Sequence, residues 1–375
     1  MAGPRVRRLL RDEGLAATLP AWLLARAAVG LGFAVALITA DELRPGNRPI
    51  QVHQALFAWD GAFYRDIADY GYHGVAREGL RFFPLLPLAS RALGVPLLGH
   101  VGLALLLLVQ LAALGAGVLL YRLAVVETGD RSTARRATWL LALLPPATVL
   151  VLGYAEALLL VFAIGFFLCI RSGRWWSAAA LGILAGLSRP VGMTLAVPAL
   201  IEAARLARTV PVRLLVARAV AIVAPVVGGA TYLLWVGHVY GDWQLPLRLQ
   251  NSADLRGGWA NPLTTVLHAV RDLGTGERLG EGLHAPWILV FGVLLILAFR
   301  YLPVSYGAWS VVLLLSALTG HTLGSFERYG LAAFPLVLTL AIVTRHALVE
   351  RVLLLGCAAA LTGFATLVFV GAFVP

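Results

Sequence analysis

Along the chain, apolar positions come in blocks of about twenty residues separated by short polar breaks, the length a helix needs to cross a bilayer. They do not alternate with period two, as the strands of a membrane barrel would. The pattern predicts an all-α polytopic membrane protein. Blocks near 20–40, 100–121, 137–153, 156–170, 175–188, 190–204, 219–240, 285–299, 302–320, 329–344 and 352–373 give a bundle of eleven transmembrane helices. A further apolar segment, 82–98, is short, holds three prolines and carries Arg91, so it reads as lying in the interface. Two connections stand out by length, a first outer loop at 41–99 and a second at 241–284. Long loops on a compact scaffold usually carry function. With no internal repeat and no matching pair of broken helices, the pattern does not suggest a secondary transporter. Residues 1–375 read as a single membrane-embedded catalytic domain.

Within the first outer loop, Phe63, Ile67 and Tyr70 follow Asp60 at helical spacing and predict an amphipathic helix on the outer membrane surface. Asp60 stands at its start, where an aspartate commonly caps the helix with one oxygen. The other oxygen can take a proton from a bound hydroxyl, with Trp59 orienting the group. Tyr64 lies one turn further on. Asp66 falls within the apolar arc and reads as a second acid, or as the partner of Arg65.

Composition narrows the class. Sixty per cent of residues are hydrophobic, 13% are charged and the mean hydropathy is +0.84. A soluble enzyme would be nearer ~25% charged. The net charge is +11, and all 30 basic residues are Arg. In a membrane chain such charge marks cytoplasmic loops and does not imply nucleic acid. A cytoplasmic N-terminus and an interfacial 82–98 put seventeen arginines and six acids inside, and twelve arginines and thirteen acids outside. The excess charge then serves orientation, and the outer rim is near neutral. Cys169 and Cys357 both sit in apolar runs, so neither a disulfide framework nor a cysteine metal site is indicated.

The rim gathers the remaining candidate chemistry. Glu156, beside Tyr154, is the sole charge of its apolar stretch and follows the helix-breaking Pro145-Pro146. Arg189 precedes Pro190, which takes it out of a helix, and Gly192 permits close backbone approach. The last outer turn, HTLGSFERYG, brings His321, Glu327, Arg328 and Tyr329 together. Arginine binds phosphate bidentately, so Arg81, Arg189 and Arg328 suit a lipid-linked phosphate; a pair with Glu327 or another rim acid is the alternative for Arg328. There is no Asp-x-Asp pair and no glycine-rich phosphate loop, so no site for a metal-bound nucleotide sugar is evident, and the sequence requires no cofactor.

The run WDGAFYRDIADYGY followed by FFPLLP resembles the signature of PIG-V-type mannosyltransferases, related to the enzyme that adds a mannose to GPI anchors, within the GT-C superfamily of membrane glycosyltransferases. GYAEALL resembles that family's Tyr-x-Glu segment and SRPVG its Arg-containing turn, with Ala155 standing where the family often has a small hydroxyl residue. The likeness spans about residues 57–192, with a weaker echo in FERYGLAAFP. It implies a GT-C-type bundle around an outer-facing cavity, a polyprenyl-phosphate sugar as donor, most simply mannose, and Asp60 as the catalytic carboxylate. The acceptor would be a hydroxyl of a lipid or glycan in contact with membrane lipids. Another polyprenyl-phosphate sugar, or a lipid or solute transporter, is the rival reading.

Overall fold

The computed structural model of the chain describes residues 4–43, 49–205, 211–252, 255, 257–275 and 283–375. Residues 44–48 of the first long loop, 253, 254, 256 and 276–282 of the second, and Arg208, expected on the inner side, lie outside the described residues. Among the described residues seventeen α-helices follow one another: α1 (Pro4–Leu43), α2 (Ile50–Gln54), α3 (Asp60–Tyr70), α4 (Leu85–Gly94), α5 (Val101–Thr128), α6 (Arg131–Leu143), α7 (Glu156–Arg171), α8 (Trp175–Ser188), α9 (Ala196–Arg205), α10 (Val212–Tyr240), α11 (Leu245–Gln250), α12 (Pro262–Thr275), α13 (Ala285–Tyr301), α14 (Val304–Leu318), α15 (Phe326–Ala332), α16 (Phe334–Val343) and α17 (Ala347–Phe369). Tight 3-10 turns occupy Ala55–Phe57, Arg77–Arg81, Pro145–Leu150 and Pro190–Leu195.

This is an all-helical, multi-pass membrane protein. Among the described residues, four helices are long and apolar enough to cross a bilayer: Glu13–Glu42 within α1, and α5, α10 and α17. A fifth span results if α15 and α16, bent by 73° at Ala333, are taken together. That is fewer than the eleven blocks predicted. Proline accounts for much of the difference, since it removes a backbone donor and clashes with the preceding turn. Pro145-Pro146 cut the block at 137–153 into α6 and a 3-10 turn, Pro190 does the same before α9, and Pro303 and Pro335 open α14 and α16. The segment 82–98 holds only α4, ten residues that rise about 15 Å, half the hydrocarbon thickness.

The short helices are buried by the long ones. On α7, twelve of sixteen residues are buried, so it is apolar all round and forms the core that α5 and α8 cover. Small residues set the closest helix contact, between α8 and α10. A Cβ on Gly186 would lie 2.1 Å from the Pro225 carbonyl oxygen, and one on Gly228 would lie 2.2 Å from that of Ile183. At one end of the bundle, Arg171 donates to Glu127 at 2.7 Å and to Glu202 at 3.2 Å. Tyr306 and Ser305 close the same cluster by donating to Glu127 and Glu202. Within the first span, Arg26 donates to Gln110 and to the carbonyls of Trp22 and Leu150. Its charge in the apolar layer is thereby met by hydrogen bonds.

Candidate active site

Two short helices present the central pair. Asp60 is the first residue of α3 and Arg328 the third of α15. Each helix starts after a non-glycine residue with positive φ, Trp59 at +57° and Ser325 at +69°. Such backbone persists only where the surroundings fix it, and here they do. The Trp59 indole donates to the Val368 carbonyl at 3.0 Å, and the Ser325 hydroxyl donates to the Pro375 carbonyl at 3.0 Å. The cap position of α3 is Trp59 and not Asp60, and the Asp60 carboxylate faces two arginines instead. It accepts a hydrogen bond from Arg328 Nη1 at 2.7 Å, and Arg81 Nη2 lies 3.6 Å from its other oxygen. The Asp60 backbone N–H donates to the Tyr154 hydroxyl at 3.3 Å.

Behind this pair is a second carboxylate. Glu156 opens α7 with only 2% of its surface exposed. It accepts from Arg189 Nη1 and lies 3.1 Å from Arg328 Nε, so Arg328 bridges two acids. Arg189 is extended, with φ −158°, between α8 and the turn at Pro190, as expected of a residue before proline. A Cβ at Gly192 would stand 2.0 Å from the Ala185 carbonyl oxygen, so only glycine lets this turn fold back on α8. Three arginines therefore face two carboxylates, and an incoming anion meets one unmatched positive charge. Burial acts to raise the Asp60 carboxyl, but Arg328 foremost, then Arg81 and Arg189, hold it below the usual carboxylate range. Burial pushes the Tyr64 phenol upward, so it stays a neutral donor and acceptor.

These groups line a cavity of about 510 Å³. Asp60, Tyr64, Arg81, Arg189, Arg328 and Tyr329 make its charged and phenolic wall. Phe82, Phe83, Val191, Val312 and Leu315 add apolar surface, and Thr194, Gln250, Asn251, Trp259, Ser316 and Thr319 supply indole, amide and hydroxyl groups. Charged, apolar and neutral polar walls in one space suit a ligand with an anionic centre, a hydrocarbon portion and hydroxyls.

Not every residue singled out from the sequence reaches this space. Trp59, Tyr154 and Glu156 stand behind the lining and hold its members. Asp66 is paired with Arg65 at 3.1 Å and 41% exposed, away from the cavity, because its arc of α3 turns to solvent beside that arginine. His321 is exposed and packs on Gly257, away from the lining. The alternative pairing of Arg328 with Glu327 does not form, since Glu327 is taken by His284 Nδ1 at 2.7 Å. Conversely, Gln250, Asn251 and Trp259 had no sequence signal except the length of the loop that holds them. Among the described residues, no group of three His, Cys, Asp or Glu side chains is placed to hold a metal ion.

Several solved structures are similar to this chain, among them two from one organism. One is the Archaeoglobus fulgidus oligosaccharyltransferase in complex with zinc and sulfate, with a TM-score of 0.46 and 14% identity over 91% of this chain and 52% of that one. The other is oligosaccharyltransferase AglB of the same organism with an inhibitory peptide and a dolichol-phosphate, with a TM-score of 0.46 and 13% identity over 92% and 56%. The chain thus spans about half the length of these structures. No curated protein sequence matches it. Residues 48–204, the stretch that supplies Asp60, Arg81, Glu156 and Arg189, match the model of the mannosyltransferase (PIG-V) family.

Proposed function

We propose that the protein is a membrane glycosyltransferase of GT-C type that moves a sugar from a polyprenyl-phosphate donor to an acceptor hydroxyl at the outer face of the membrane. The single observation that carries this reading is the Asp60 carboxylate on the wall of a cavity that also presents Arg81, Arg189 and Arg328. The family match supports mannose as the sugar. The outer location rests on the partition of arginines between the two sides.

In the proposed step the acceptor oxygen attacks the anomeric carbon from the face opposite the phosphate. The carbon–oxygen bond to phosphate breaks, its electron pair leaves with the polyprenyl phosphate, and the configuration inverts. Asp60 takes the proton of the acceptor hydroxyl, a role typically worth ~10²–10⁴-fold. Arg328, Arg81 and Arg189 offer donors to the oxygens on which charge develops. Glu156 keeps Arg189 and Arg328 together and so positions them. Holding the two substrates in one cavity converts an encounter into a bound arrangement, which contributes much of the remainder.

The test is transfer by purified protein in vesicles supplied with a panel of polyprenyl-phosphate sugars and envelope lipids, with products read by mass. Asp60→Asn is expected to lower the rate by ~10²-fold or more and, because it removes the partner of Arg328, to lower thermal stability in detergent as well, so rates are compared at a temperature at which both proteins remain folded. Near-normal transfer by this variant sinks the base assignment, and transfer from a nucleotide sugar alone sinks the donor class.

A further inference from the structure

A second cleft, of about 480 Å³, opens at the end of the bundle away from Asp60. It lies between the turn that follows α7 and the starts of α8 and α10, about 24 Å along α7 from Glu156. Arg174 and Arg213 line it with Trp175, Trp176, Ser177 and Leu214. Both arginines are exposed, and among the described residues no acid lines the cleft. Glu202 of α9, which packs on α10, is committed to Arg171, Arg205 and Ser305. A third cation, Arg218, is buried with its guanidinium 5.6 Å from the centre of the Trp175 ring. Two exposed apolar tracks lead away from the cleft. After Arg213, Val216, Val220, Val223 and Val227 follow down one face of α10, and after Trp176, Ala180 and Ile183 follow down α8. The close contacts of Gly186 with Pro225 and of Gly228 with Ile183 hold these two helices at a fixed spacing. From Arg213 to Val227 the track runs about 21 Å, enough for the hydrocarbon of one leaflet.

Cations gathered at the head of an apolar track are the recognition chemistry of an anionic amphiphile. A guanidinium holds a phosphate with two parallel donors. Both α8 and α10 begin at the cleft, so the positive ends of their dipoles add to the arginines. The exposed Trp176 indole is an aromatic of the kind that sits at headgroup level. A zwitterionic headgroup would bring its own ammonium among three guanidinium groups with no acid to receive it, and a soluble phosphate would make no use of the tracks. We propose that the cleft is a binding site for the headgroup of an anionic phospholipid, with an acyl chain laid along α8 and α10. Under the orientation proposed above, it faces the inner leaflet, where basic pockets between helices suit such lipids. Its distance from Asp60 separates this lipid from any substrate of the first cavity, so the proposal does not depend on the glycosyltransferase reading.

The test titrates full-length, delipidated protein in detergent with phosphatidylglycerol or phosphatidylcholine and counts bound lipid by native mass spectrometry. Inorganic phosphate and the deacylated headgroup, glycerophosphoglycerol, serve as competitors. The parent is expected to hold phosphatidylglycerol at least tenfold more tightly than phosphatidylcholine, and neither competitor in large excess should displace it. Arg174→Gln combined with Arg213→Gln is expected to weaken phosphatidylglycerol at least tenfold, and the corresponding pair of lysines to recover part of the loss. Arg300→Gln combined with Arg351→Gln removes the same charge from exposed positions outside the cleft and should leave binding unchanged. All four arginines are exposed, so the lipid-free variants should melt with the parent; the lysine pair, which keeps the charge, carries the test if the glutamine pair does not fold. Equal loss in the two glutamine pairs would reduce the effect to general surface charge and overturn the site. Unchanged binding by the cleft variants, or equal binding of the two lipids, overturns it as well. Displacement by phosphate or by the deacylated headgroup would assign the cleft to a soluble anion and overturn the lipid.

Discussion

The Asp60 carboxylate is held in two ways that oppose each other, by burial that favours its neutral form and by arginines that favour its charge, and the arginines prevail. A group whose folded value is depressed contributes stability above its unfolded value, and that contribution is lost as pH falls through the folded one. For the free enzyme, the acid limb of kcat/KM is therefore expected below the ordinary aspartate value of about 3.9. Arg81→Gln removes one of the groups responsible and is expected to move that limb upward, a shift read from a pH profile of transfer at subsaturating donor. An unmoved limb means that Asp60 is not the titrating base. The place of Asp60 at a helix start was legible, because an aspartate before an amphipathic run is a common start signal. Its partner was not, since Arg328 is 268 positions away and nothing local distinguishes pairing with Asp60 from pairing with Glu327. Asp66 is the reverse case: of its two readings, a second acid or the partner of Arg65, the local one forms, with Arg65 3.1 Å away at the surface.

Among the elements, the positions of the apolar blocks were legible and their division was not. Hydropathy sums over a block, whereas a proline pair or an Arg-Pro step decides whether that block is one rod or two pieces. The pieces matter for the site, since the 3-10 turns at Arg77–Arg81 and Pro190–Leu195 carry Arg81 and place Arg189. The contact between α8 and α10 supports the second of these turns from behind. Gly228→Ala would force a methyl group against the Ile183 carbonyl, which cannot yield without moving a helix. A cost of about 1–3 kcal/mol is expected, read as lower thermal stability in detergent. Gly292→Ala, on a surface with nothing within 4 Å, is the control and should melt with the parent or above it. Equal melting of the two variants would mean that the α8–α10 contact is looser than described.

At the scale of the molecule, the proposed orientation rests on where the arginines fall, and it is open to a direct chemical test. Cys169 and Cys357 are buried, so introduced cysteines can be labelled with little background. Thr264→Cys, on α12 in the second outer loop, is expected to react with an impermeant maleimide in intact cells. Ser172→Cys, between α7 and α8 at the far end of the bundle, should react only after permeabilisation. The opposite result would put the cavity on the cytoplasmic side. The cavity itself is assembled from distant stretches, with α3 and the Arg81 turn on one side and α11, α14 and α15 on the other. Asp60 and Arg328 are the ionic clasp between them, fastened across 268 positions. An anion that claims Arg328 as its own counter-charge undoes that clasp. By the same act it releases the carboxylate from the guanidinium that kept it a poor base. On the proposed mechanism, loading the leaving group and arming the base become one event, so the donor is expected to bind before the acceptor, and the unloaded protein keeps its carboxylate in safekeeping.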